Sequence, residues 1–200
     1  MNDSHRSPHA TQTPRPMADH VAHSLQTASR ALGVRDPLPY VDGIIQRSFA
    51  APDDDPRYAY NRLAPGAVPY EPSFSETEPR TLRFTIEPLG PGASPMARRD
   101  EATREMRRLI APVFGREALR WFDQRSEAWR GFSGMNWMNY GAWFGSAFDE
   151  DGLYATKIYY ELAPQQIEAL APPLARLTKL AMDVMPALVP IFTSIGCKRD

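Results

Sequence analysis

Two hundred residues give chain for one domain, and 42% hydrophobic with 10% aromatic residues can fill a real core. The 23 basic and 24 acidic residues leave a net charge of −1, which offers no electrostatic reason to expect nucleic acid or an anionic membrane as partner, so any anion site has to be local. One cysteine, Cys197, excludes an intramolecular disulfide framework, and the first residues lack the apolar core of a signal peptide, so the expected setting is the cytoplasm. No apolar run approaches the roughly 20 residues of a spanning helix. Even Ala181 to Ile195 is broken by Asp183, Pro186 and Pro190. All four histidines (His5, His9, His20 and His23) lie near the start, which leaves the body of the chain without a histidine-rich metal site or a Ser/His/Asp triad.

The first sixteen residues have no apolar periodicity and read as a disordered tail, leaving 17–200 as a single α+β domain. A helix is expected from Met17 to about Leu32. Asp36 to Pro69, with Pro37, Pro39, Pro52, Pro56, Pro65 and Pro69, reads as loops around a short apolar piece near Val41 to Phe49. Within it Asp53, Asp54 and Asp55 resemble half of an acidic metal–diphosphate motif, but their bracketing prolines make them a solvated turn. Tyr70 to Ser75 and Thr81 to Pro88 alternate around a Glu76–Pro79 turn, which predicts a hairpin. Asp100 to Ala111 and Arg116 to Arg130 carry helical spacing interrupted by Pro112 and Gly115. A second hairpin is expected from Met135 to Phe148, an Asp-Gly turn at Asp149 to Gly152, and Leu153 to Leu162. Helical segments then run through Ile167 and Leu170 and on to Leu188, with Pro172-Pro173 suited to a helix start.

The chemistry lies in the strand parities. In Leu153 to Glu161 a period of two sends Lys157 and Tyr159 to one face and Ile158 and Tyr160 to the other. Leu82 to Glu87 repeats this, with Arg83, Thr85 and Glu87 opposite Leu82, Phe84 and Ile86, and Glu71 shares a parity with Ser73 and Ser75 on a third strand. A sheet covered by helices on its apolar side would gather Arg83, Lys157 and Tyr159 around an anion such as a phosphate, whereas the plainer alternative is a solvated strand surface. Trp137, Tyr140, Trp143 and Phe144 offer stacking surface or core packing. Cys197 has no histidine in the body to activate it.

Taken together, VPYEPSFSETEPRTLRFTIEP (Val68 to Pro88) and GLYATKIYYEL (Gly152 to Leu162) resemble the dimethylallyltryptophan-synthase family of aromatic prenyltransferases, in order and spacing as well as in residues. The resemblance covers roughly Pro69 to the C-terminus. It implies repeated αββα units whose strands close a barrel around the active site with helices outside, of which this chain holds a part, the N-terminal half. It implies a catalytic role for Glu71, which would hydrogen-bond an indole N–H and help remove a proton, and diphosphate contacts for Arg83, Lys157 and Tyr159. The implied activity is transfer of a prenyl (dimethylallyl) group from its diphosphate to an indole or similar arene in secondary metabolism, with no metal and no cofactor beyond the prenyl diphosphate co-substrate. Fixed positive charge would assist departure of the diphosphate, and aromatic walls would shield the allylic cation. Pro72, directly after Glu71, removes a backbone donor and places that strand at an edge or a bulge. The expected partners are the two small molecules, with self-association or a C-terminal half completing the barrel. The alternative reading is a non-catalytic, incomplete-barrel module that binds a hydrophobic ligand or a partner chain, which an exposed strand edge at Leu153 to Leu162 would favour.

Overall fold

A computed structural model of the protein describes residues 15–74, 76–130, 138–162, 164–185 and 192–199, the first three residues of the 164–185 segment through their backbone alone. Among the described residues four helices and five strands follow one another as α1 (Met17–Leu32), α2 (Leu38–Ser48), β1 (Tyr70–Ser73), β2 (Leu82–Ile86), α3 (Pro95–Arg130), β3 (Ala142–Asp149), β4 (Gly152–Glu161), α4 (Pro172–Val184) and β5 (Phe192–Lys198). The strands form one antiparallel sheet in the order β1-β2-β3-β4-β5. The α+β class expected from the sequence is therefore the class found. Among the described residues no helix is long and apolar enough to cross a membrane.

Helix α1 has the expected bounds and buries Val21, Leu25 and Ser29 along one face. Residues 1–14 of the expected tail lie outside the described residues. Its last two are held, since the Arg15 carbonyl accepts from the Asp53 N–H at 2.8 Å and Pro16 bridges to Pro52.

The stretch read as loops is corrected by α2. Val41, Ile44, Ile45 and Ser48 recur at helical spacing and are all buried. Pro37 and Pro39 fall at the helix start, where a missing N–H leaves no bond unmade, so these prolines begin a helix instead of preventing one. A short 3-10 turn, Pro56–Tyr60, follows, and Asp55 caps it by accepting from the Arg57 N–H at 2.9 Å. The acidic triplet is thus part of a turn, as expected.

Helix α3 starts five residues earlier than the apolar spacing suggests. Ser94 accepts from the Ala97 N–H at 3.2 Å, and Pro95 opens the first turn. The two expected halves meet at Gly115, whose φ of 91° and ψ of 169° break the helix. Its inner face, with Ala102, Met106, Leu109 and Ile110, packs on β3, β4 and β5. There the Thr103 hydroxyl meets the Tyr160 hydroxyl at 2.8 Å.

Both hairpins form. Phe84 and Phe148 stack across the sheet with centroids 6.1 Å apart in the covered layer. Strand β3 begins at Ala142, so Tyr140 precedes it in a loop, and the expected strand residues 135–137, Trp137 included, lie outside the described residues. The buried Glu161 carboxylate fixes that loop by accepting from the N–H groups of Asn139, Tyr140 and Gly141 at 2.8–2.9 Å. Helix α4 starts at Pro172 as expected and ends at Val184; 186–191 lie outside the described residues. Strand β5 was not foreseen. Because it pairs with β4 from Ala155 to Glu161, Leu153 to Leu162 is not an exposed edge; the edges are β1 and β5.

Candidate functional site

Helices cover one face of the sheet, and the residues of the other face fall into cross-strand rows. One row runs Ser73, Arg83, Ala147, Ala155, Lys198; the next runs Glu71, Thr85, Gly145, Lys157, Gly196; the third brings Trp143, Tyr159 and Ser194 together. The centre of this face is small: Thr85, Ala147 and Ala155 leave a floor from which longer side chains rise around the rim. A cavity of about 380 Å³ results, within the size range of small-molecule sites.

Glu71, Arg83, Lys157 and Tyr159 all line this cavity, so the alternation of three strands brings together the expected catalytic and diphosphate-binding residues. Ser75 lies outside the described residues. Glu87 does not join them. It is buried beyond the end of β2, accepts from the Arg62 and Leu63 N–H groups at 2.7 and 3.1 Å, and pairs with Arg98 at 2.8 Å. Its parity is that of Arg83, but the chain has left the strand by Glu87 and the carboxylate serves a loop. Glu71 is exposed on β1, the edge strand that Pro72 requires.

Two neighbours of Lys157 explain its position. A Cβ on Gly145 would lie 3.5 Å from the Lys157 Cε, and one on Gly196 would lie 3.0 Å from the Lys157 Cβ and 2.9 Å from the Thr156 carbonyl oxygen. A side chain at 196 would thus crowd the lysine stem, while one at 145 would touch it at ordinary contact distance. Its ammonium rests 4.8 Å from the centroid of the Tyr159 ring, a cation–π contact, and it has no carboxylate partner among the described residues.

Among the lining residues that the sequence did not single out, three carry a charge or a phenol. Tyr154 reaches the cavity through a bulge: Ala147 pairs with Ala155 and Phe148 with Leu153, so Tyr154 is an extra residue in β4. Strict alternation counted from Lys157 would point Leu153 at the cavity and bury Tyr154; the bulge reverses both. Lys198 comes from the unforeseen β5, and Glu78 from the turn between β1 and β2. These residues converge. Arg83 and Glu78 form an ion pair, Lys198 Nζ lies 3.3 Å from Glu78 Oε1, and the Tyr154 hydroxyl donates to the same oxygen at 3.3 Å. Lys198 also stacks over Tyr154 at 4.8 Å.

Along the strands the face changes character. Arg83, Lys198 and Lys157 occupy the first two rows; beyond them Tyr159 stands opposite Trp143, which stacks on Phe192 at 4.2 Å, and Tyr140 closes on both rings at 5.5–6.1 Å. Phe144, the fourth member of the expected aromatic group, is fully buried in the core. Among the described residues no three His, Cys, Asp or Glu side chains gather into a group that could hold a metal ion. Burial pushes the half-buried Cys197 thiol above its ordinary pKa.

The sequence matches no protein-family model and no curated protein.

Proposed function

We propose that the chain is an aromatic prenyltransferase, or the N-terminal part of one, transferring a dimethylallyl group from its diphosphate to an indole or similar arene. The observation that carries this reading is the gradient on the open sheet face, from Arg83, Lys198 and Lys157 at one end to Tyr159, Trp143 and Phe192 at the other. A prenyl diphosphate has the same polarity, an anionic head on an apolar allylic tail. Its C–O bond would break with both electrons leaving on the diphosphate, whose growing charge the cationic side chains stabilise. The aromatic rings would shield the allylic cation from water until an arene carbon attacks it. Glu71 stands in the same row as Lys157, three strand intervals or about 14 Å away at the backbone. That interval leaves room for acceptor and allyl group between a proton acceptor and the leaving group. Glu71 would take the arene proton as aromaticity returns. In this reading the helix-strand-strand-helix order is one αββα unit of a barrel, and the free sheet edges are where further strands would continue it.

A second reading, a non-catalytic module for a hydrophobic ligand or a partner chain, is favoured by one observation. Leu174, Leu177, Leu180 and Val184 stand on α4 with 53–73% of their surface exposed.

The test is calorimetric titration with a non-hydrolysable dimethylallyl diphosphate analogue in EDTA, followed by turnover with dimethylallyl diphosphate and indole. Binding that falls at least about tenfold in Lys157→Ala, together with turnover lost by about a hundredfold in Glu71→Gln, is the expected result. Binding without turnover favours the module. A folded chain that binds no analogue overturns both the site and the activity.

A further inference from the structure

Arg83, Tyr154 and Lys198 come from three different strands and meet on one carboxylate, Glu78. Arg83 and Lys198 sit in one row with Ala147 and Ala155 between them, about 14 Å apart at the backbone, and without an anion between them their like charges would repel. The cationic end of the pocket thus already holds an anion of the chain's own. That anion is removable. Glu78 belongs to a turn, so its side chain can swing out without breaking a ladder hydrogen bond, and the side chains of Glu78 and Arg83 are 30% exposed and that of Lys198 58%. Lys157, by contrast, holds no carboxylate among the described residues and stands ready for an incoming ligand.

We propose that Glu78 is a built-in competitor for the anion, closing the Arg83–Tyr154–Lys198 end of the pocket until a multiply charged ligand displaces it. The inference rests on the diphosphate reading above and adds a selection rule to it. A carboxylate or a single phosphate can engage Lys157 but has little to set against Glu78 at the other cations. A diphosphate carries more charge and more acceptor oxygens, so it can hold Lys157 with one phosphate while the other replaces Glu78. The pocket discriminates by charge and span.

The experiment is calorimetric titration of the full chain with inorganic pyrophosphate and, separately, orthophosphate at fixed ionic strength. Wild type is compared with Glu78→Gln, which keeps an acceptor for Tyr154, and with Glu78→Ala, circular dichroism confirming that all are folded. Both variants are expected to bind pyrophosphate about three- to tenfold more tightly than wild type and to lose part of the preference over orthophosphate. Binding by the variants alone would show that Glu78 blocks the cations but would overturn its displacement by a diphosphate. Wild-type binding that is unchanged or weakened in both variants overturns the competitor role and leaves the diphosphate reading standing. No binding by any of the three folded chains overturns the two together.

Discussion

A single missing side chain on either side of Lys157 decides where its ammonium can go. Gly196 and Gly145 differ in how much room they leave, and the difference gives an ordered expectation. A methyl group at 196 would meet the Thr156 carbonyl at 2.9 Å, backbone that cannot step aside, whereas one at 145 meets its neighbours at 3.3–3.5 Å. Gly196→Ala is expected to cost about 1–3 kcal/mol and Gly145→Ala less than about 1 kcal/mol, both measured by urea unfolding. Ligand affinity should fall in the same order, because the first change also displaces the lysine stem. At this scale the sequence was informative where the physics is periodic. Arg83, Lys157, Tyr159 and Glu71 were found by alternation alone, since facing is fixed once the strand is fixed. Glu78 was hidden because a turn has no parity, and Tyr154 because a bulge interrupts the alternation of its strand.

The elements tell a similar story for different reasons. Helix α2 is hidden by prolines that signal loops elsewhere, although Pro37 and Pro39 stand where a helix tolerates them; Lys198 is hidden because β5, Phe-Thr-Ser-Ile-Gly-Cys-Lys, has apolar side chains on both faces. The seam between α3 and β4 carries a testable consequence. Tyr160 is buried there, and desolvation pushes its hydroxyl from 10.0 to about 12 despite the Thr103 hydrogen bond; Tyr70, half-buried on β1, is raised to about 12 by the same cause. The folded chain therefore holds these protons more tightly than the unfolded chain does. Their contribution is complete below pH 10, where both states are protonated, and is lost as pH rises through the window up to about 12. Stability measured by urea unfolding should fall across that window by an amount on the order of 2 kcal/mol attributable to Tyr160. Tyr160→Phe should flatten the fall while costing about 1 kcal/mol at neutral pH for the lost Thr103 bond. An equally steep fall in that variant would place the effect elsewhere.

Among the described residues the sheet is covered by helices on one face, and the candidate site lies on the other. That layering was legible in the sequence because β2 and β4 each declare an apolar side, whereas the order of strands was not, since pairing is a long-range event. An apolar row also faces outward on α4. Replacing Leu177 and Leu180 together by Gln is expected to lower fluorescence of a hydrophobic dye by about half with stability changed by no more than about 0.5 kcal/mol, because exposed positions contribute little to folding. A large loss of stability would mean the row is packed in solution. The bulge in β4 has a consequence for how such a surface can change over time. Removing Tyr154 outright would restore unbroken pairing with β3, leave Leu153, Ala155, Lys157 and Tyr159 on their present faces, and delete a hydroxyl from the pocket. The strand thus carries a one-residue insertion whose side chain meets Glu78 and Lys198 on the open face, so this fold can gain or lose a contact there by an indel that leaves the facing of the neighbouring strand residues unchanged.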